Sequence, residues 1–76
     1  MSEVEWMDIF GDNLRDILKE QYMPRRELAE VLGLSEATVC RYINKKQMPT
    51  MDVIINISYE LSLSVDELID FGDRVY

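Results

Sequence analysis

The sequence predicts an all-α domain of five helices, and three observations carry that prediction. Apolar residues recur three and four apart along the chain, as with Leu28 and Leu32 or Val39 and Ile43, which is the spacing of one helix face. Helix-ending and helix-starting residues fall between those segments: Pro24, Gly33, Ser35, Thr50 and Ser64. No alternating strand pattern, internal repeat, low-complexity tract or linker interrupts the 76 residues, so residues 1–76 read as a single domain. That length is near the lower limit for a self-sufficient hydrophobic core.

The first helix is expected over residues 3–21. Ser2 and Glu5 have capping-box spacing, and Met7, Phe10, Leu14, Ile17 and Leu18 form one apolar stripe. Gly11 lowers helix propensity inside it, so the regular helix starts either at residue 3 or only near Trp6 or Asp8. Tyr22-Met23-Pro24 ends it, because proline cannot continue a helix but suits the first position of the next. A second helix follows over 25–32 and a third over 36–43. Asn44 tolerates the left-handed backbone that stops the third, and Lys45 to Pro49 form a polar loop. Thr50 caps a fourth helix over 51–61, with Val53, Ile54, Ile57 and Leu61 inward. Ser64 and Glu67 form a second capping box for a fifth helix over 65–71, and Gly72 terminates it.

The stretch from Arg25 to Asn44, RRELAEVLGLSEATVCRYIN, is the most specific signal. Ala29 is small where two helices must approach closely. Gly33 sits where the first of them must stop with φ > 0. Ser35 is placed to accept from a free N–H of the next helix, and the β-branched Val39 points back to the crossing. A small residue, glycine four later and a β-branched apolar residue six after that are what a helix-turn-helix needs to cross compactly.

Charge argues against a general nucleic-acid binder, since the net value is −7 and phosphate contacts need Lys and Arg. Its distribution is uneven. Residues 25–46 hold five basic residues (Arg25, Arg26, Arg41, Lys45, Lys46) against three acidic ones (Glu27, Glu30, Glu36), a local +2. The remainder holds three basic and twelve acidic residues, a −9. One positive face on an acidic body favours a single docking orientation on DNA. The acids also serve solubility, and both readings hold together.

The same composition excludes other classes. With no histidine and one cysteine, Cys40, the chain makes no internal disulfide, and neither a zinc site with nitrogen and sulfur ligands nor any cofactor is expected. There are no paired carboxylates set for a cleft and no glycine-rich phosphate loop, so nothing points to an enzyme. The acidic Ser-Glu-Val-Glu opening is unlike a signal peptide, and no run of about eighteen apolar residues occurs. A cytoplasmic protein with no membrane partner is the expectation.

The chain resembles the lambda-repressor-like, Xre-type helix-turn-helix family of phage and bacterial regulators. The resemblance runs without gaps from Phe10 to Ile69, through FGDNLRDIL, LAEVLGLS, TVCRYINKKQMPT and LSLSVDELI. It implies five helices around one core, usually a dimer, with the third helix in the major groove. Arg25 replaces the family's usual Gln, Pro24 its usual Ser/Thr cap, and Lys45 stands where Gly is frequent.

Roles on the third helix follow. Its buried face takes Val39, Tyr42 and Ile43, so Glu36, Ala37, Cys40 and Arg41 face outward, with Lys45 just beyond. Arg41 can bond bidentately to guanine O6 and N7. Glu36 either accepts from cytosine N4 or is simply an acid favoured at a helix start. Ala37 can touch a thymine methyl. The resemblance implies base contacts at Glu36, Ala37 and Arg41 and backbone contacts at Arg25, Asn44, Lys45 and Lys46. Cys40 is read as a small bystander on the exposed face, and Tyr42 as core with its hydroxyl free to reach a phosphate.

The expected function is a sequence-specific regulator binding double-stranded DNA, either a phage-type repressor or a restriction–modification controller. An antitoxin or other protein-interaction module, using the acidic surface, is the alternative. A homodimer on a palindromic operator is expected, because one such domain makes few base contacts. Leu68, Phe71, Val75 and Tyr76 offer apolar surface for the dimer contact, unless Phe71 and Tyr76 fold back onto the chain's own core.

Overall fold

Five helices form in the computed structural model, which describes residues 3–69. They are α1 (Glu3–Glu20), α2 (Arg25–Leu32), α3 (Glu36–Ile43), α4 (Met51–Glu60) and α5 (Val65–Leu68). The all-α expectation holds, and among the described residues there is no strand. α2 packs on α3, α1 lies against α3 and α5, and α4 closes against α2 and α5. One core joins Phe10, Leu14 and Leu18 of α1 to Leu28 and Ala29 of α2, Val39, Tyr42 and Ile43 of α3, Ile54 and Ile57 of α4, and Leu61 and Leu68 beyond.

Local signals act largely as the sequence predicts. Ser35 Oγ accepts from the Thr38 N–H at 3.1 Å, Thr50 Oγ1 from Val53 N–H at 3.3 Å, and Ser64 Oγ from Glu67 N–H at 3.4 Å. Gly33 has φ 71°, the left-handed conformation that ends α2. Ser2 of the first capping box and the expected terminator Gly72 lie outside the described residues.

Several expectations need correction. α1 begins at Glu3, the earlier of the two expected starts, and passes unbroken through Gly11, but it ends at Glu20 rather than residue 21. Gly11 is required there: a Cβ would stand 2.9 Å from the carbonyl oxygens of both Tyr42 and Ile43, so α1 crosses the end of α3 at backbone distance. Pro24 stands at the N-cap of α2, as expected, in extended conformation. Asn44 does not take the left-handed stop, having φ −84°; Lys45 does, with φ 64°. α5 ends at Leu68, short of residue 71, with Ile69 at φ −112° departing from the helix.

α1, α2, α3 and α4 all stop by the same device. After each, one left-handed residue donates to the carbonyl three back, and the next residue to the carbonyl five back. The pairs are Tyr22 N–H to Lys19 O with Met23 N–H to Leu18 O, and Gly33 to Glu30 with Leu34 to Ala29. Lys45 to Tyr42 with Lys46 to Arg41, and Ser62 to Tyr59 with Leu63 to Ser58, complete the set. Met23, Leu34 and Leu63 then pack on the core, whereas Lys46 faces solvent. Two amides bind the elements further: Asn13 Nδ2 donates to Leu68 O at 2.9 Å and Gln21 Nε2 to Leu61 O at 3.0 Å.

Candidate nucleic-acid interface

α3 is amphipathic, and its burial decides which side chains can meet a ligand. Val39, Tyr42 and Ile43 are buried, and Glu36, Ala37 and Arg41 are exposed, so the three expected base readers share the open face of one helix. Ala37 follows Glu36 directly, and Arg41 lies one turn on, four residues after Ala37. Asn44 and Lys46 are exposed immediately beyond the helix.

Two expected contacts are arranged differently. Lys45 Nζ lies 2.9 Å from Asp12 Oδ1, so its ammonium ties the end of α3 to α1 rather than standing free. Arg25 Nη1 donates to Cys40 Sγ at 3.6 Å, reaching from the start of α2 across to α3. Cys40 is therefore half-buried beneath a guanidinium, and the bystander reading is corrected. Tyr42 is only 4% exposed and meets Phe10 edge-on at 6.3 Å between centroids. Such a ring belongs to the core, as its place on the inner face of α3 predicts. Burial also raises its phenol above the ordinary value, keeping it neutral.

Pro24 gives α2 no side-chain cap, so the N–H groups of Arg25 and Arg26 lack a capping side chain, while Glu27 N–H donates to Pro24 O at 3.0 Å. An open hollow of about 460 Å³ lies next to them, lined by Arg15, Leu18, Lys19, Tyr22, Met23, Pro24, Arg25 and Ile43. Arg15 is already engaged by Asp12 at 3.4 Å and Asp16 at 3.3 Å. Lys19 and Tyr22 line this hollow from outside residues 25–46, the segment in which the sequence concentrates its basic residues. The signal for Lys19 was its place in the last turn of α1, just before the turn that leads to Arg25.

One residue of the expected dimer surface is turned inward. Leu68 is 0% exposed and belongs to the chain's own core, because α5 packs it against α1 and α4. Phe71, Val75 and Tyr76 lie outside the described residues. Among the described residues, no helix is long and apolar enough to cross a membrane, and no His/Cys/Asp/Glu group is gathered to hold a metal.

Solved structures share this arrangement. A HTH_3 family transcriptional regulator from Vibrio cholerae superposes with TM-score 0.83 at 18% identity, covering 95% of this chain and 39% of its own. The chain thus spans well under half the length of that protein. The restriction-modification controller protein C.AhdI from Aeromonas hydrophila gives TM-score 0.82 at 19% identity, over 90% of this chain and 99% of its own. The clp gene regulator ClgR from C. glutamicum gives 0.81 at 21%, over 93% and 94%. At these identities the likeness is one of fold. No curated protein matches the sequence. The sequence model of the family described as Helix-turn-helix, HTH_3, matches residues 14–68, which takes in the α2–α3 crossing, its glycine turn and the core that supports them. The chain belongs to this lambda-repressor-like, Xre-type helix-turn-helix family.

Proposed function

We propose that this protein is a cytoplasmic, sequence-specific regulator of transcription that binds double-stranded DNA and has no catalytic step of its own. The observation that carries the reading is the face of α3: Glu36, Ala37 and Arg41 are exposed together while Val39, Tyr42 and Ile43 anchor the helix. An α-helix fits the major groove, where Arg41 reads guanine and Ala37 a thymine methyl. The uncapped start of α2 with Arg25, and Asn44 and Lys46 beyond α3, serve as backbone contacts that set register. Lys19 and Tyr22 extend that strip along the hollow beside Arg25. Lys45 supports α3 through Asp12.

A homodimer on a palindromic operator, acting as a repressor or as a restriction–modification controller, is the form this reading takes. The family belonging and the named regulators of like fold support it. The test is a gel shift with DNA from around the protein's own gene, at two salt concentrations, with Arg41→Ala beside the natural chain. Retarded bands that weaken with salt and lose sequence preference in Arg41→Ala are expected. Equal retention of unrelated duplexes by both proteins overturns the assignment.

A further inference from the structure

We propose that the outer face of α4 is a docking surface for a basic amphipathic helix of a partner protein. Met51, Ile55 and Tyr59 are 61%, 48% and 83% exposed. They recur four apart, so they fall within about 80° of one another on the helix and form a continuous stripe about 12 Å long. Ile54, Ile57 and Ser58 bury the adjoining side, centred about 100° round the helix, and the stripe is therefore surplus to the core. A single exposed apolar residue needs no explanation, but three in register on one helix form a patch.

Charge selects the occupant. Asp52, Asn56 and Glu60 run beside the stripe, exposed, on its far side from the core, and α4 carries no basic residue. Asp52 sits in the first turn, where the helix dipole favours an acid. Glu60 sits in the last turn, where the dipole disfavours one, so local helix stability does not account for it. Among the described residues neither acid has an ion-pair partner.

A second copy is the poorer fit. Two α4 helices crossing antiparallel about a two-fold between Ile55 and Asn56 would set like flank against like flank, with Asp52 of each close to Glu60 of the other. A partner helix with apolar anchors one turn apart and Lys or Arg alongside answers both halves of the face. This surface is separate from α3 and stands whether or not the DNA reading does.

The test uses the full chain and two synthetic helical peptides with the same leucine stripe, one flanked by lysines and the other by glutamates. In an NMR titration the lysine peptide should shift the amides of Met51, Ile55 and Tyr59 and bind at least tenfold more tightly than the glutamate peptide. Tyr59→Ser, at an exposed site, should weaken it tenfold while leaving the gel shift on DNA unchanged. Asp52→Lys with Glu60→Lys should reverse the preference between peptides. Equal binding of the two peptides, shifts confined to other helices, or a concentration-dependent dimer broken by Tyr59→Ser would each overturn the proposal.

Discussion

The Lys45 ammonium lies 2.9 Å from the Asp12 carboxylate, fastening the residue that ends α3 to the middle of α1. Both side chains are partly shielded, at 35% and 23% exposure, yet remain near enough to solvent for the pair to contribute only about 0.2–1 kcal/mol. Its larger effect is on charge. A cation that the sequence offers to DNA is neutralised within the domain.

Lys45→Ala should accordingly leave the salt dependence of DNA binding almost unchanged, and Asp12→Asn should release the ammonium. In that variant, binding should tighten on cognate and scrambled duplexes alike, with the log–log salt slope steeper by about one unit. Titrations by fluorescence anisotropy across salt concentrations measure this; a slope that falls by one in Lys45→Ala would show Lys45 already on a phosphate.

Gly11→Ala sets two effects against each other. Helix propensity alone favours alanine by about 1 kcal/mol. The added Cβ meets two backbone carbonyls at 2.9 Å, which cannot swing aside as a side-chain tip does. Overpacking of this kind costs about 1–3 kcal/mol, so a net loss of stability is expected, visible as a lower denaturant midpoint. A raised midpoint would mean that α1 and α3 slide apart without cost.

Arg41→Ala and Arg25→Ala should fail differently. Losing Arg41 should cost about 1–3 kcal/mol on the cognate site and relax preference at one base pair. Losing Arg25 should weaken binding to all sequences about equally and lower the salt slope by about one unit. Binding curves for both variants on cognate and scrambled duplexes separate the two roles. Equal losses on both duplexes for Arg41→Ala would move Arg41 to the phosphates.

Alkaline pH should act through Tyr42. Its folded pKa lies above the ordinary 10.0, so the folded state holds the phenol proton more tightly than the unfolded chain. That contribution is fully present below pH 10 and is lost as pH rises through the raised value. Denaturation midpoints at pH 8 and 11 should fall less in Tyr42→Phe than in the natural chain. Identical pH dependence in the two proteins would remove Tyr42 from the account.

What could be read from sequence was what neighbours along the chain decide. The stripes of α1 and α4, the caps at Ser35, Thr50 and Ser64, and the turn at Gly33 all depend on residues within one or two helical turns. The open face of α3 followed by elimination once Val39, Tyr42 and Ile43 were taken inward. Partners from distant segments were not legible. Gly11 reads as a weak spot until α3 is laid across it, and Lys45 as a free cation until Asp12 is beside it. Leu68 reads as surplus apolar surface until α1 and α4 enclose it, and Cys40 as an exposed bystander until the Arg25 guanidinium lies against it.

Of the four left-handed helix stops, only Gly33 is a glycine; Tyr22, Lys45 and Ser62 carry side chains there at φ 55°, 64° and 56°. A left-handed residue with a Cβ costs about 1–2 kcal/mol, and glycine recovers part of that after its own entropy penalty. The three turns are separate in sequence, so their effects should add to within a few tenths of a kcal/mol if no partners are shared. Replacing Ser62 by glycine alters neither the buried core nor the exposed face of α3, whereas Tyr22 also lines the hollow beside Arg25. For a domain whose whole margin is about 5–15 kcal/mol, that leaves a graded route to a longer-lived fold by single substitutions, without redrawing the exposed face of α3.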